Sequence, residues 1–200
     1  MAALRAETQA QHDRLDSQLP IAGSHPTFAD YRQHLLVLRA WLGPLQQWLG
    51  QFDDGPQDPD FLPPTARLAL IEADLADPSL APADRHPYLH EHRHQLPFGA
   101  PASDAAAYRW GVCYVIDGSQ LGGTVLYRRL AATLSPHPLR YLSADNVAPG
   151  PRWTAFLHGL RAAVREPAAI AAACDGARDA FDRILALHGL DARLDAGQAA

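Results

Sequence analysis

The chain is poor in cysteine: only Cys113 and Cys174 occur in 200 residues, with no CxxC pair and no metal-like spacing. That excludes a disulfide framework and a cysteine-held zinc, and both residues read as small buried hydrophobes in a reducing, cytoplasmic setting. No run approaches the ~20 uninterrupted apolar residues that a membrane span requires. The opening segment MAALRAETQAQHDRLDSQLP holds no apolar stretch fit for a secretory signal. A positive balance is missing too, since 17 Lys+Arg stand against 22 Asp+Glu for a formal charge of -5. Neither nucleic acid nor an anionic membrane is therefore an expected partner. There is no internal repeat and no pair of alternating apolar runs joined by hairpin turn residues, which argues against a sheet.

What is present is helical periodicity. The length suits one domain with its own core, and the expected fold class is all-α. Leu4, Thr8, His12, Leu15 and Leu19 form one stripe of a helix that Pro20 ends, which puts His12 on the inward face. Thr27 and Asp30 resemble a capping pair ahead of Tyr31, Leu35, Leu38, Leu42 and Leu45, a second long helix that Pro44 is expected to kink. Residues 50–64 read as a loop, Leu68, Ile71 and Leu75 as a short helix closed by Pro78, and 82–101 as a second loop. Ser103 is placed to cap a long helix on which Tyr108, Trp110, Val112, Tyr114, Val115 and Ile116 leave few polar positions, as a buried central helix would. Pro136, Pro138, Pro149 and Pro151 make 134–151 a loop. Helices resume at about 152–165 and 167–188, the last led by Pro167 and ended by Gly189. The helical domain is expected over 1–194, with 195–200 a frayed tail.

The segment Gly118-Ser119-Gln120-Leu121-Gly122-Gly123 interrupts that central helix, and each glycine costs ~1 kcal/mol relative to alanine. Gly118 and Gly122 bare one face. Either two helices pack closely there or the helix kinks, or a flat ligand lies on bare backbone, to which Ser119 could offer its hydroxyl or an ordered water. His12 has the same two sides. It is a hydrogen-bonded core residue, or a metal ligand whose tautomer Asp16 fixes by accepting from one imidazole nitrogen. One histidine with no second ligand at zinc-like spacing suits haem iron better than zinc, because the porphyrin supplies four ligands itself.

The segment LRAETQAQHDRLD sets Thr8 one turn before His12 and Asp16 one turn after it, YVIDGSQLGGTVLYRRL carries Gly118, Gly122 and Gly123, and AAACDGARDAFDRILALHGL closes the helical order. Together these resemble the proximal, distal and final helices of the biliverdin-producing heme oxygenases, in particular the bacterial branch associated with bacteriophytochromes. The resemblance covers nearly the whole chain. It implies a single-domain heme oxygenase-like fold with haem b, substrate and cofactor at once, in a slot between the first two of those helices. His12 would hold the iron and the glycine helix would crowd the other face. The implied reaction uses O2 and electrons from an external donor to open the ring to biliverdin, carbon monoxide and ferrous iron, with a functional link to a bacteriophytochrome. Arg5, two turns ahead of His12, and Arg161 would meet the propionates, though Arg5 also reads as an ordinary solvated charge; His158 lies in the same region as Arg161.

Departures from the pattern bear on chemistry. Many members of the family carry an Asp after the first distal glycine, organising the waters that protonate bound oxygen, whereas Ser119 stands here. A non-catalytic haem-binding or haem-sensing protein of the same fold is the alternative. Asp117 takes the place of a Glu common in bacterial members, and either supports that water network or faces solvent. Asp16, one methylene shorter than the usual Glu, is expected to reach the imidazole through water. His86, His90, His92 and His94 alternate as chelating histidines can, but in a proline-flanked loop they read as a solvated cluster. Arg128 and Arg129 fit an acidic electron-donor protein, a plain surface pair or a propionate contact.

Overall fold

The computed structural model describes residues 2–80, 102–144 and 148–189, and the regular structure there is all-α, with no strand. The helices are α1 (Ala2–Gln18), α2 (Phe28–Leu49), α3 (Arg67–Leu75), α4 (Ala106–Leu130), α5 (Arg140–Ser143), α6 (Pro149–Ala163) and α7 (Pro167–Leu187). The histidine cluster at His86, His90, His92 and His94 and the tail at 195–200 lie outside the described residues. No described helix is long and apolar enough to cross a membrane.

Local chemistry sets most of the boundaries. At the start of α2, Thr27 Oγ1 accepts from the Asp30 N–H at 3.2 Å while the Asp30 carboxylate accepts from the Thr27 N–H at 2.8 Å, a reciprocal cap. The helix then runs on through Pro44 to Leu49. Pro44 is on the exposed side, where water can take the hydrogen bond its missing N–H leaves open. Ser103 does not cap α4. That helix starts at Ala106 without a side-chain cap, and the Ser103 hydroxyl instead accepts from the Ala105 N–H at 3.1 Å. Its first turn is tied down from afar: Trp48 Nε1 donates to the Asp104 carboxylate at 3.0 Å and Arg109 Nε to the Asp104 carbonyl at 3.1 Å. The proline-rich stretch 134–151 holds the short α5 and the start of α6, because Pro149 and Pro151 sit in a first turn that needs no N–H donor. Pro167 opens α7 in the same way, and Gly189, at φ 70°, ends it.

The core is built on α4 against α7, which meet through missing side chains. A Cβ at Gly111 would lie 2.7 Å from the Ala173 carbonyl carbon, and one at Gly176 would overlap the Tyr108 carbonyl oxygen. Ala173, Ala177 and Ala180 extend this small-residue face of α7. On the other side of α4 lies α6, through Trp110 and Phe156 with ring centroids 5.2 Å apart and through Gly159, whose Cβ would lie 3.0 Å from Trp110 Cη2. Helix α1 also packs along α7, with Leu4 and Thr8 buried. Thus α1 and α4 share α7 as a neighbour. Behind α4, fully buried Asp74 of α3 accepts from the Tyr31 hydroxyl at 2.6 Å and from the Arg140 and Tyr141 N–H groups at 3.0 and 2.9 Å. That carboxylate holds the turn at Leu139, whose φ of 50° is a strained value for a branched residue, and so fixes Tyr141.

Candidate functional site

His12 is not on the inward face. Leu4 and Thr8 are buried and Leu15 half-buried, but the His12 side chain is 57% exposed. The stripe is narrower than its spacing suggested, and His12 stands on its flank. Asp16 reaches it directly, with Oδ2 3.1 Å from Nδ1, so no bridging water is needed. With Nδ1–H donated to Asp16, Nε2 keeps its lone pair, the arrangement in which a second-shell carboxylate orients a ligating imidazole. The Phe181 ring of α7 abuts the imidazole at a centroid distance of 6.2 Å in an edge-on geometry. Thr8 Oγ1 donates to the Leu4 carbonyl at 2.9 Å, one turn back, which satisfies its buried hydroxyl within the helix.

The glycines of α4 separate into two kinds. Gly111 is a packing glycine, as shown by its contact with α7. At Gly118 a Cβ would stand 3.5 Å from Trp153 Cη2, an ordinary contact, and at Gly123 3.8 Å from Leu142 Cδ2. At Gly122 a Cβ would meet nothing within 4 Å among the described residues. Close helix–helix packing therefore accounts for Gly111 but not for Gly118, Gly122 or Gly123. The exposed Leu121 and Val125 continue the uncovered side of α4.

Polar groups brace this helix. Asp117 is buried rather than solvent-facing, and its Oδ1 accepts from the Arg67 guanidinium of α3 and from Arg152 Nε of α6, the latter at 2.9 Å. Arg67 also donates to Thr65 Oγ1 at 2.5 Å. The Ser119 hydroxyl donates to the Ile116 carbonyl at 2.8 Å, and Gln120 Nε2 donates to the Tyr141 hydroxyl at 3.0 Å. Burial pushes the Tyr141 phenol up, so it is a neutral group, with the Arg67 charge and the bonds from Gln120 and Ser119 opposing the shift. Cys113, a buried residue of the same helix, accepts from Gln57 Nε2 at 3.3 Å and is pushed up to about 12 by burial; it is no nucleophile.

The cations lie at the edges. Arg5 and Arg161 are exposed, and neither makes a hydrogen bond or ion pair among the described residues. Burial raises the Tyr114 phenol of α4, and the positive charge of Arg5 on α1 works against it. A pocket of about 280 Å³ opens between the start of α1 and the α6–α7 junction, lined by Leu4, Leu160, Arg161, Val164, Arg165 and Ile170. It includes neither His12 nor the glycines. His158 is exposed. Arg128 is exposed, while Arg129 donates to the Ala22 and Gly23 carbonyls at 3.0 and 3.3 Å and so ties α4 to the turn after α1. No group of three or more potential metal ligands occurs among the described residues.

A family model described as Heme oxygenase matches residues 1–187, from α1 to the end of α7. The chain belongs to the heme oxygenase family. It is similar to a heme oxygenase of Xanthomonas campestris pv. campestris (strain 8004), 41% identical over 83 residues that make up 40% of this chain and 49% of that protein. The chain thus matches about half the length of this curated relative. Within this heme oxygenase-family fold, the residues that sequence reasoning missed are Arg67, Arg152 and Trp153 around α4, and Tyr141 behind it. Their contacts span 50 residues for Arg67 and 35 for Arg152, beyond any local pattern. The packing role of Gly111 and Gly176 had a signal: each sits mid-helix in an apolar or alanine-rich stretch, the mark of close backbone approach.

Proposed function

We propose that this heme oxygenase-family chain binds haem b as substrate and cofactor between α1 and α4 and opens it oxidatively to biliverdin, carbon monoxide and ferrous iron. The observation that carries the reading is Gly122. It lies inside a 25-residue helix, where glycine costs ~1 kcal/mol against alanine, yet among the described residues a Cβ there would touch nothing within 4 Å. The glycine is left unexplained by the protein's own packing and explained by a flat ligand seated on the backbone.

The residues present fit that ligand. His12 would offer Nε2 to iron, with Asp16, 3.1 Å away, fixing the tautomer and Thr8 one turn before it on the buried stripe. Gly122 presents bare backbone to the opposite face, with Gly118 beside it under the Trp153 edge and Gly123 turned toward Leu142. Arg5 and Arg161, exposed and without an ion pair among the described residues, carry positive charge for the two propionates, and guanidinium recognises carboxylate bidentately. Bound haem supplies the redox-active iron and the carbon skeleton that is cut. The protein's part is to seat it, keep bulk away from its distal face, and hold a hydroxyl, Ser119, beside Gly118. Asp117 acts through its position, holding the start of the glycine segment to α3 and α6. Electrons come from an external reductant or donor protein and oxygen from solution; the setting is cytoplasmic, and supply of a bilin chromophore to a bacteriophytochrome is one use of the product.

A second reading, haem binding or sensing without turnover, rests on a specific feature. Ser119 bonds its own helix at Ile116 and Asp117 is held by two guanidiniums, so no free carboxylate adjoins Gly118. Haem titration of the wild type and His12→Ala, followed by absorbance, tests the binding step common to both. Loss of the ligated spectrum in His12→Ala is expected; an identical spectrum in the variant would sink the iron-ligand assignment.

A further inference from the structure

Trp153 stands over Gly118, at one end of the glycine strip. Its indole edge lies 3.5 and 3.7 Å from where a Gly118 Cβ would be, through Cη2 and Cζ3. The ring stacks on Phe156 at 5.7 Å with planes 11° apart and leans on Tyr114 at 5.4 Å, which leaves it half-buried, with part of its surface facing out. Its seat is fixed by charge as well. Arg152, the preceding residue, donates through Nε to Asp117 at 2.9 Å and through a terminal nitrogen to the Pro63 carbonyl at 2.6 Å. Asp117 immediately precedes Gly118, so the ion pair and the ring-on-glycine contact are neighbouring parts of one α4–α6 junction. The Asp117 carboxylate is also held by Arg67 from α3, so α6 has little freedom to slide along α4 at this point.

One turn further along the same face, Gly122 is bare. Four residues of helix rise about 6 Å, less than the width of a tetrapyrrole. A macrocycle lying on Gly122 therefore runs into the indole at Gly118. We infer that Trp153 is a positioning residue of the ligand slot, an aromatic wall at the Gly118 end of the strip that sets which edge of the macrocycle lies over Gly122, with the Asp117–Arg152 pair holding the wall in place. The inference rests on the proposed haem reading and goes beyond it, since it names what selects the ring edge that is opened. Gly118 then has a different task from Gly122: it gives the indole a flat seat, while Gly122 gives the ligand one.

The test compares the wild type with Trp153→Phe, Trp153→Leu and Asp117→Asn. Each is titrated with haem, followed by Soret absorbance and tryptophan fluorescence, and then turned over with a chemical reductant in air, with the biliverdin isomers separated by chromatography. Loss of an aromatic contact of ~0.5–1.5 kcal/mol weakens haem binding about 2- to 12-fold in Trp153→Leu. Its Soret maximum at saturating haem shifts, and the product changes from one dominant isomer to a mixture. Trp153→Phe keeps a ring and moves each readout less, which guards against a leucine variant that fails to fold. Asp117→Asn shifts the isomer ratio in the same direction with the indole still present. A purely structural Trp153 would leave the Soret position and isomer ratio at saturation unmoved, and that result in a folded variant overturns the inference while the haem reading stands. A wild type that takes up no haem overturns both.

Discussion

Replacing Gly122 with alanine should stabilise the protein and impair it at once. The added methyl meets nothing within 4 Å among the described residues, so no packing cost there offsets the ~1 kcal/mol gain in helix propensity. For a chain of this size that gain raises the melting temperature by about 2–4 °C. The same methyl stands where the proposed ligand lies. Gly122→Leu enlarges the intrusion, and at an overpacking cost of about 1–3 kcal/mol haem binding weakens roughly 5- to 150-fold. Gly111→Ala is the control with the opposite sign. Its Cβ would sit 2.7 Å from the Ala173 carbonyl carbon, so the two central helices must separate, at a cost of about 3 kcal/mol or more. The assays are thermal unfolding by circular dichroism without haem and Soret titration with it. If Gly122→Ala lowered the melting temperature, the open space assigned to that position would be wrong. If Gly122→Leu bound haem as tightly as the wild type, the glycine would have no ligand to serve.

Other expectations concern the flanks of the site and the fold. Asp16→Ala removes the group that orients His12, 3.1 Å away, and should weaken haem iron ligation about 10-fold, the low end of such second-shell effects because the pair is exposed; unchanged affinity would mean that the carboxylate is idle. His34 is held down at about 3 by burial and His188, stacked on it at 6.2 Å, at about 4, while imidazoles of the unfolded chain titrate near 6.5. As pH falls below 6.5 the unfolded chain takes up protons that the folded one refuses, so stability falls by about 1.4 kcal/mol per pH unit for His34 alone. His34→Leu should flatten that acid limb in urea titrations between pH 6.5 and 4.5, and an unchanged slope would contradict the assignment. Asp74→Ala leaves the Tyr31 hydroxyl and the Arg140 and Tyr141 N–H groups without their shared acceptor and should cost about 3–5 kcal/mol in denaturant unfolding.

How much of this the sequence discloses depends on the range of the interaction. Caps and stops are local, and Thr27 with Asp30, Pro167 and Gly189 all behave as their chemistry dictates. The glycine segment was legible as an anomaly because three glycines violate the propensity of an otherwise apolar helix. Periodicity misled at His12, since a stripe of mixed Leu, Thr and His has a width, and the residue at its edge can face outward as easily as inward. The reach of Asp16 was underestimated because rotamers and helix geometry, not side-chain length alone, set the gap. Asp117 could not be placed at all, for its environment comes from Arg67 and Arg152, on α3 and α6. Ser103 failed as a cap because Trp48 and Arg109 anchor that end of α4 through Asp104.

The central claim, oxidative opening of haem on this fold, is tested most directly by adding a competent reductant to the haem-loaded wild type under air and following absorbance with carbon monoxide capture. The expected result is decay of the haem band with the rise of a biliverdin spectrum, release of carbon monoxide, and neither event in His12→Ala. A haem band that persists unchanged in the reduced, aerated wild type would contradict the oxygenase account and leave haem binding without turnover as the function.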